Sequence, residues 1–323
     1  MSKVSTAPPL DPELRSFLDT MREKWSHHPT FDSLSFPERR EVCEKVRAHW
    51  SVGGPVMAKT TEHEFKSANG TMRIRIHLPD GVDEPAATLI YLHGGGFTLF
   101  SIDTHDRLMR EYAEAGSFAV VGVDYPLSPE HKYPVALNCI VDLLLWLKDH
   151  GSEWSVDAGR LAMGGDSAGG NLSFASFFRL REVGEEHLIK AILSNYGGFS
   201  AVISDESEVR FGGPGSIMDR EEAREYWRNY CRDDQDEQDP CAAPIHADLS
   251  GFPPTFLVIP ECDIVAEHSI EMEARMQAAG APVSSRMYRG APHSFLEAMS
   301  ISAIAREAIN DGARFIADVL GTR

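Results

Sequence analysis

The stretch "LAMGGDSAGGNLSFASF", residues 161–177, decides how the rest of the chain is read. Leu161, Ala162 and Met163 suit the end of a buried strand, and Leu172, Phe174 and Phe177 suit a helix packed on its neighbours. Between them Gly165-Asp166-Ser167-Ala168-Gly169 spells G-x-S-x-G. A serine in that setting stands on a sharp turn with its hydroxyl exposed, and the small residues beside it let strand and helix approach closely. An ordinary glycine-rich strand-to-helix turn has the same letters, so the assignment depends on what surrounds it.

A nucleophilic serine needs a base, and the base needs an orienting carboxylate. Downstream, "TFLVIPECD" ends a predicted strand at Asp263, and "VSSRMYRGAPHSF" carries His293 into the loop after the next one. Residues that follow parallel strands gather at one edge of a sheet, the edge that Ser167 also occupies. The other downstream histidines fit less well. His187 precedes a strand, His268 falls inside a predicted helix, and His246 sits in an irregular stretch. The expected set is therefore Ser167, Asp263 and His293.

Upstream, "LIYLHGGGFTLFS" at 89–101 runs from an apolar strand into three glycines. Ester hydrolysis passes through a tetrahedral oxyanion that wants preorganised donors. Side chains would block close approach there, whereas glycine leaves its N–H bare. We expect the N–H groups of Gly94 and Gly95, with that of Ala168 after the serine, to form the oxyanion hole.

The remaining chain supplies the scaffold. Strand candidates "ATLIYLH", "FAVVGVDY", "RLAMGGD", "IKAILSNY", "TFLVIPE" and "VSSRMYR" alternate with helical patterns near 105–115, 134–149, 169–183, 266–279 and 302–320. Such alternation predicts a mostly parallel α/β sheet with helices on both faces. Before it comes a hairpin turning at Asn69-Gly70, and before that two amphipathic helices, one opening at Asp11-Pro12 and one at Ser35-Phe36-Pro37. Residues 199–254 interrupt the rhythm with "FGGPGS", a helix "DREEAREYWRNYC" and the acidic run "DDQDEQD", read as solvated surface. So long an interval predicts a lid folding over the sheet edge.

Composition narrows the function classes. Of 323 residues 42 % are hydrophobic and 25 % charged, the balance of a globular protein. The formal charge of −18 repels phosphate backbones and anionic lipid, so neither nucleic acid nor a membrane surface is an expected partner. No apolar run approaches a membrane span, and "MSKVSTAPPLDPELRSF" shows no leader pattern. Five scattered cysteines, never spaced C-x-x-C, argue against a disulfide framework or a metal site. A cytoplasmic location is the resulting expectation.

Taken together, "HGGGF" (93–97), "DYPLSPEHKYPVAL" (124–137), "GGDSAGGNL" (164–172), "ECDIV" (261–265) and "PHSF" (292–295) resemble the hormone-sensitive-lipase family of α/β-hydrolases. Pro126 stands where that family usually has arginine, and "SNYGGF" and "ECDIVAEHS" lack two usual prolines, departures that bear on pocket walls. The resemblance implies an α/β-hydrolase fold at 56–323, capped by an N-terminal helical segment (1–55) and the insertion near 199–254. It implies Ser167 as nucleophile, His293 as general base, Asp263 as orienter, no cofactor or metal, and a monomer or homodimer. The activity implied is hydrolysis of short-acyl or compact esters. The rivals are an N-acyl amide or specialised-metabolite deacetylase on the same triad, and a receptor that has lost hydrolysis. Retention of His293 opposes the receptor.

Overall fold

The computed structural model describes residues 7–322; Met1–Thr6, part of the stretch read for a leader and of segment 1–55, and Arg323 lie outside it. Its centre is β3 (Ala86–Leu92), buried at all seven positions. A strand flanked by strands and covered on both faces has no solvent side, so its sequence is apolar apart from Thr88, whose hydroxyl donates to Ala86 O at 2.8 Å. Around it lie β1 (Lys59–Lys66), β2 (Thr71–Leu78), β4 (Ala119–Asp124), β5 (Val156–Asp166), β6 (Ile189–Asn195), β7 (Thr255–Cys262) and β8 (Val283–Pro292). They form one sheet in the order β1-β2-β4-β3-β5-β6-β7-β8. The hairpin strands β1 and β2 run antiparallel, and all pairings from β4 to β8 are parallel.

The period of two along each strand sorts the core into two layers. Ile90, Leu92, Val121 and Val123 pack with Leu137 and Ile140 of α4 (Val135–His150), Leu172 of α5 (Ala168–Glu182) and Met272 of α8 (Ala266–Ala278). Leu89, Tyr91 and Val120 face the opposite way, onto Met109 of α3 (Asp106–Gly116) and Ile309 and Ile316 of α9 (Ala303–Leu320).

The N-terminal helices extend that second layer. In α1 (Pro12–Ser26) the four residues Leu14, Phe17, Leu18 and Met21 are buried, and Asp11 caps it by accepting from Glu13 and Leu14 N–H at 2.9 and 3.2 Å. In α2 (Phe36–Ser51) the Glu38 carboxylate accepts the Ser35 N–H at 2.8 Å, and Trp50 meets Phe17 edge-on at 5.0 Å. Arg40 of α2 donates to Thr98 O, Ser128 O and Glu130, so the helix is tied to the loops at the sheet's edge.

Between β6 and β7 stand α6 (Asp205–Phe211) and α7 (Arg220–Tyr230). The short α6 was not foreseen; Ser204 caps it through the Ser207 N–H at 3.1 Å. The acidic run also needs correcting. Asp236 is buried because Arg232 grips both of its oxygens, at 2.7 and 2.9 Å, and Asp239 accepts the Tyr133 hydroxyl at 2.8 Å. Among the described residues no helix is long and apolar enough to cross a membrane.

Candidate active site

Three parallel strands deliver the three expected side chains. β5 ends at Asp166, β7 at Cys262 and β8 at Pro292, so Ser167, Asp263 and His293 each occupy the first position beyond a strand. Parallel neighbours end at the same edge, which brings together residues far apart in sequence. His293 Nε2 lies 3.0 Å from Ser167 Oγ, and His293 Nδ1 lies 2.7 Å from Asp263 Oδ2. The carboxylate is itself oriented, since Asp263 Oδ1 accepts the Val265 N–H at 3.0 Å.

The turn at Ser167 has the strain that its sequence requires. Its backbone sits at φ 53°, ψ −115°, outside the usual regions for a residue with a side chain. Gly169 allows the close packing underneath: a Cβ there would lie 1.9 Å from Leu92 O, so only glycine lets α5 start this near β3. The competing histidines fall elsewhere. His187 sits in the turn before β6, His246 is exposed, and His268 points into α8's surroundings to meet Val202 O at 2.8 Å.

The imidazole is buried, which by itself disfavours its charge, but the Asp263 carboxylate outweighs that and raises the His293 pKa above its ordinary value. Nδ1 donates to the carboxylate, so the neutral ring presents a bare Nε2 to the serine hydroxyl.

The glycine turn departs from expectation at one residue. The Gly94 N–H donates to Asp166 Oδ1 at 3.1 Å, so it is not free to meet an oxyanion. Gly96, passed over in the sequence, lines the cavity with Gly95, Ser167 and His293 instead. Gly95 adopts φ +105° and any Cβ on it would meet Leu99 O at 2.3 Å, so this turn is open to glycine alone. Tyr125 steadies the same turn from below, its hydroxyl donating to His93 O at 2.7 Å.

Asp166 stands at an unspecified position of G-x-S-x-G, yet it organises the floor of the site. Wholly buried, it also accepts the Tyr91 hydroxyl at 3.0 Å and faces His105 Nε2 at 3.3 Å. Burial alone would push its pKa up; the His105 charge and the Tyr91 hydroxyl overcome this and hold it below the usual carboxylate range. His105 is raised in turn, against its own burial, so the two form an ion pair behind the serine. A carboxylate among small residues at the end of a buried strand was the available signal.

Two cavities open beside Ser167. The larger, about 800 Å³, is walled by α1, α2, α7 and their loops, and it includes Ser167 and His293 in its lining. The smaller, about 40 Å³, is closed by Ile203, Ala223, Trp227 and Val265, and His293 does not line it. Among the described residues no group of three or more His, Cys, Asp or Glu is placed to hold a metal ion.

Comparison with known proteins agrees with this fold. The model of a family described as alpha/beta hydrolase fold matches residues 89–297, well over half of the chain. An acetyl esterase of Salmonella paratyphi A is 34 % identical over 282 residues, covering 86 % of this chain and 85 % of the relative. The hyperthermophilic esterase of the archaeon Pyrobaculum calidifontis superposes with a TM-score of 0.88 at 30 % identity, covering 96 % of this chain and 98 % of that one. A thermostable carboxylesterase cloned from a metagenomic library gives 0.85 at 30 % identity, over 90 % and 99 % of the two chains. The chain belongs to the α/β hydrolase fold family, as a carboxylesterase of its hormone-sensitive-lipase branch.

Proposed function

We propose that Ser167 attacks the ester carbonyl while His293 takes its proton, Asp263 holding the imidazole in the receptive tautomer. The observation that carries this reading is the unbroken chain Asp263–His293–Ser167, with contacts of 2.7 and 3.0 Å. The tetrahedral oxyanion is received by the N–H groups of Gly95, Gly96 and Ala168. Collapse of the intermediate expels the alcohol, to which His293 gives its proton, leaving an acyl group on Ser167. Water, deprotonated by His293, then releases the acid and restores the serine.

The two cavities assign the halves of the ester. The leaving oxygen must lie within reach of His293, so the alcohol occupies the larger cavity, which that residue lines. The acyl group takes the smaller one, whose 40 Å³ holds roughly three water-sized groups at 10–15 Å³ each. Acetyl and propionyl fit and long chains do not, in keeping with the acetyl esterase name of the relatives. The segments 1–55 and 199–254 act as one cap, supported by their shared walling of the larger cavity. A cytoplasmic enzyme, monomeric or dimeric, completes the proposal, and fractionation with sedimentation tests that part.

The test of the whole is hydrolysis of p-nitrophenyl acetate by Ser167→Ala. A loss on the order of 10⁴ or more is expected. Unchanged turnover overturns the assignment.

A further inference from the structure

Of the acids that line the larger cavity, Asp32, Asp219 and Glu221 are exposed, whereas Glu222 and Glu225 are half-buried. Glu225 meets Arg39 at 2.7 Å and Glu221 meets Arg228 at 2.7 Å. Asp219 accepts the Glu222 N–H at 2.9 Å as the cap of α7. Glu222 has no Lys or Arg within ion-pair distance among the described residues; its Oε1 accepts the Tyr226 hydroxyl at 2.8 Å. Tyr226 in turn lies against Gly96, where a Cβ would fall 2.2 Å from the ring, so Glu222 stands beside the catalytic turn.

A carboxylate that merely favours the first turn of a helix does its work from solvent, as the neighbouring Glu221 does at 79 % side-chain exposure. Glu222 instead faces the cavity. Desolvation raises its pKa and the nearby Asp219 and Glu225 add to this, while the Tyr226 hydroxyl and the His293 imidazole only partly offset it. Buried charges are stable when paired. The same cavity exposes Trp25, Phe31 and Tyr226 and the apolar Leu18 and Met218, surfaces that suit the alkyl shell of a substituted ammonium.

We propose that the larger cavity selects esters whose leaving alcohol carries a positively charged nitrogen, with Glu222 as the residue that recognises it. The proposal rests on the assignment of the alcohol to that cavity. It names an amino-alcohol ester of a short acid as the substrate class. Hydrolysis then releases a cationic alcohol and a small carboxylic acid.

The probes are the acetate of 2-(trimethylammonio)ethanol and its neutral isostere 3,3-dimethylbutyl acetate, which have the same shape and differ in charge. At pH 8.5 the intact protein is expected to prefer the cationic ester by about tenfold in kcat/KM, a typical strength for a desolvated cation site. Glu222→Gln should bring the ratio of the two near one, whatever it does to each rate separately. Inhibition by the two product alcohols checks the same point without turnover: the cationic alcohol should bind the intact protein about tenfold tighter than the neutral one. A ratio near one in the intact protein, or an equal ratio in Glu222→Gln, overturns the proposal. Because p-nitrophenyl acetate turnover and its loss in Ser167→Ala report the esterase separately, failure here leaves that reading standing. A preference for the cation that survives Glu222→Gln and disappears in Trp25→Ala refutes the role of Glu222 and moves recognition to the aromatic wall.

Discussion

Replacing Trp227 by alanine tests the division of the ester between the two cavities. Trp227 is 6 % exposed and closes the small cavity, packing on Phe97 at 5.9 Å and Tyr230 at 6.2 Å between ring centroids. With the indole gone, the 40 Å³ beside Ser167 opens towards α7 and takes three or so further methylenes. Each methylene newly buried is worth about 0.8 kcal/mol, or about fourfold in kcat/KM. Three together give about 60-fold for hexanoyl relative to propionyl. The assay is kcat/KM over p-nitrophenyl esters from C2 to C10. The intact enzyme should peak at acetyl or propionyl and fall steeply by hexanoyl; the variant should peak near hexanoyl. Loss of a buried aromatic costs about 3–5 kcal/mol of stability in general, so Ile203→Ala, which trims the same wall, serves as the milder companion with a shift of one carbon. A peak at C8 or beyond in the intact enzyme, or an unshifted profile in both variants, refutes the assignment of the acyl group to this cavity.

Two further outcomes follow from the charges in the site. The proposed mechanism needs neutral His293, whose pKa lies above the ordinary 6.5, so kcat/KM should fall as pH drops, with its acid limb centred above pH 6.5 and not below it. A pH–rate profile on p-nitrophenyl acetate checks the sign: Asp263→Asn removes the carboxylate that raises the imidazole, so the limb should move to lower pH in that variant. Asp166→Asn leaves the buried His105 without its counter-ion and should cost about 3–5 kcal/mol in urea unfolding near neutral pH. The Asp166 pKa is held low in the folded state, so its stabilisation is present above the unfolded carboxylate value and disappears as pH falls; the stability gap between the two proteins should therefore narrow in acid.

Much of this was legible in the sequence because the scaffold follows from local pattern. β3 is nearly all apolar since both its faces are covered, and Asp11, Ser35 and Asn69-Gly70 announce their caps and turn by chemistry that acts within four residues. Ser167, Asp263 and His293 were readable for a related reason: each directly follows a parallel strand, so chain order alone places them at one edge. What escaped depends on partners distant in sequence. Whether Gly94 or Gly96 faces the cavity is settled by Asp166, 72 residues away, capturing one of the N–H groups. Asp236 is buried only because Arg232 wraps it, which a run of acids does not reveal. Glu222 reads as one more acid on an exposed helix until the fold lays α7 across the sheet's edge.

The most direct test of the central claim is mass spectrometry after a fluorophosphonate probe, which traps a serine activated as a nucleophile. The phosphonyl adduct should sit on the peptide containing Ser167, form fast in the intact protein, slow by orders of magnitude in His293→Ala, and be missing from Ser167→Ala. An adduct on another residue, or labelling of Ser167 at the same rate without His293, contradicts proton sharing between these two side chains as the source of activity.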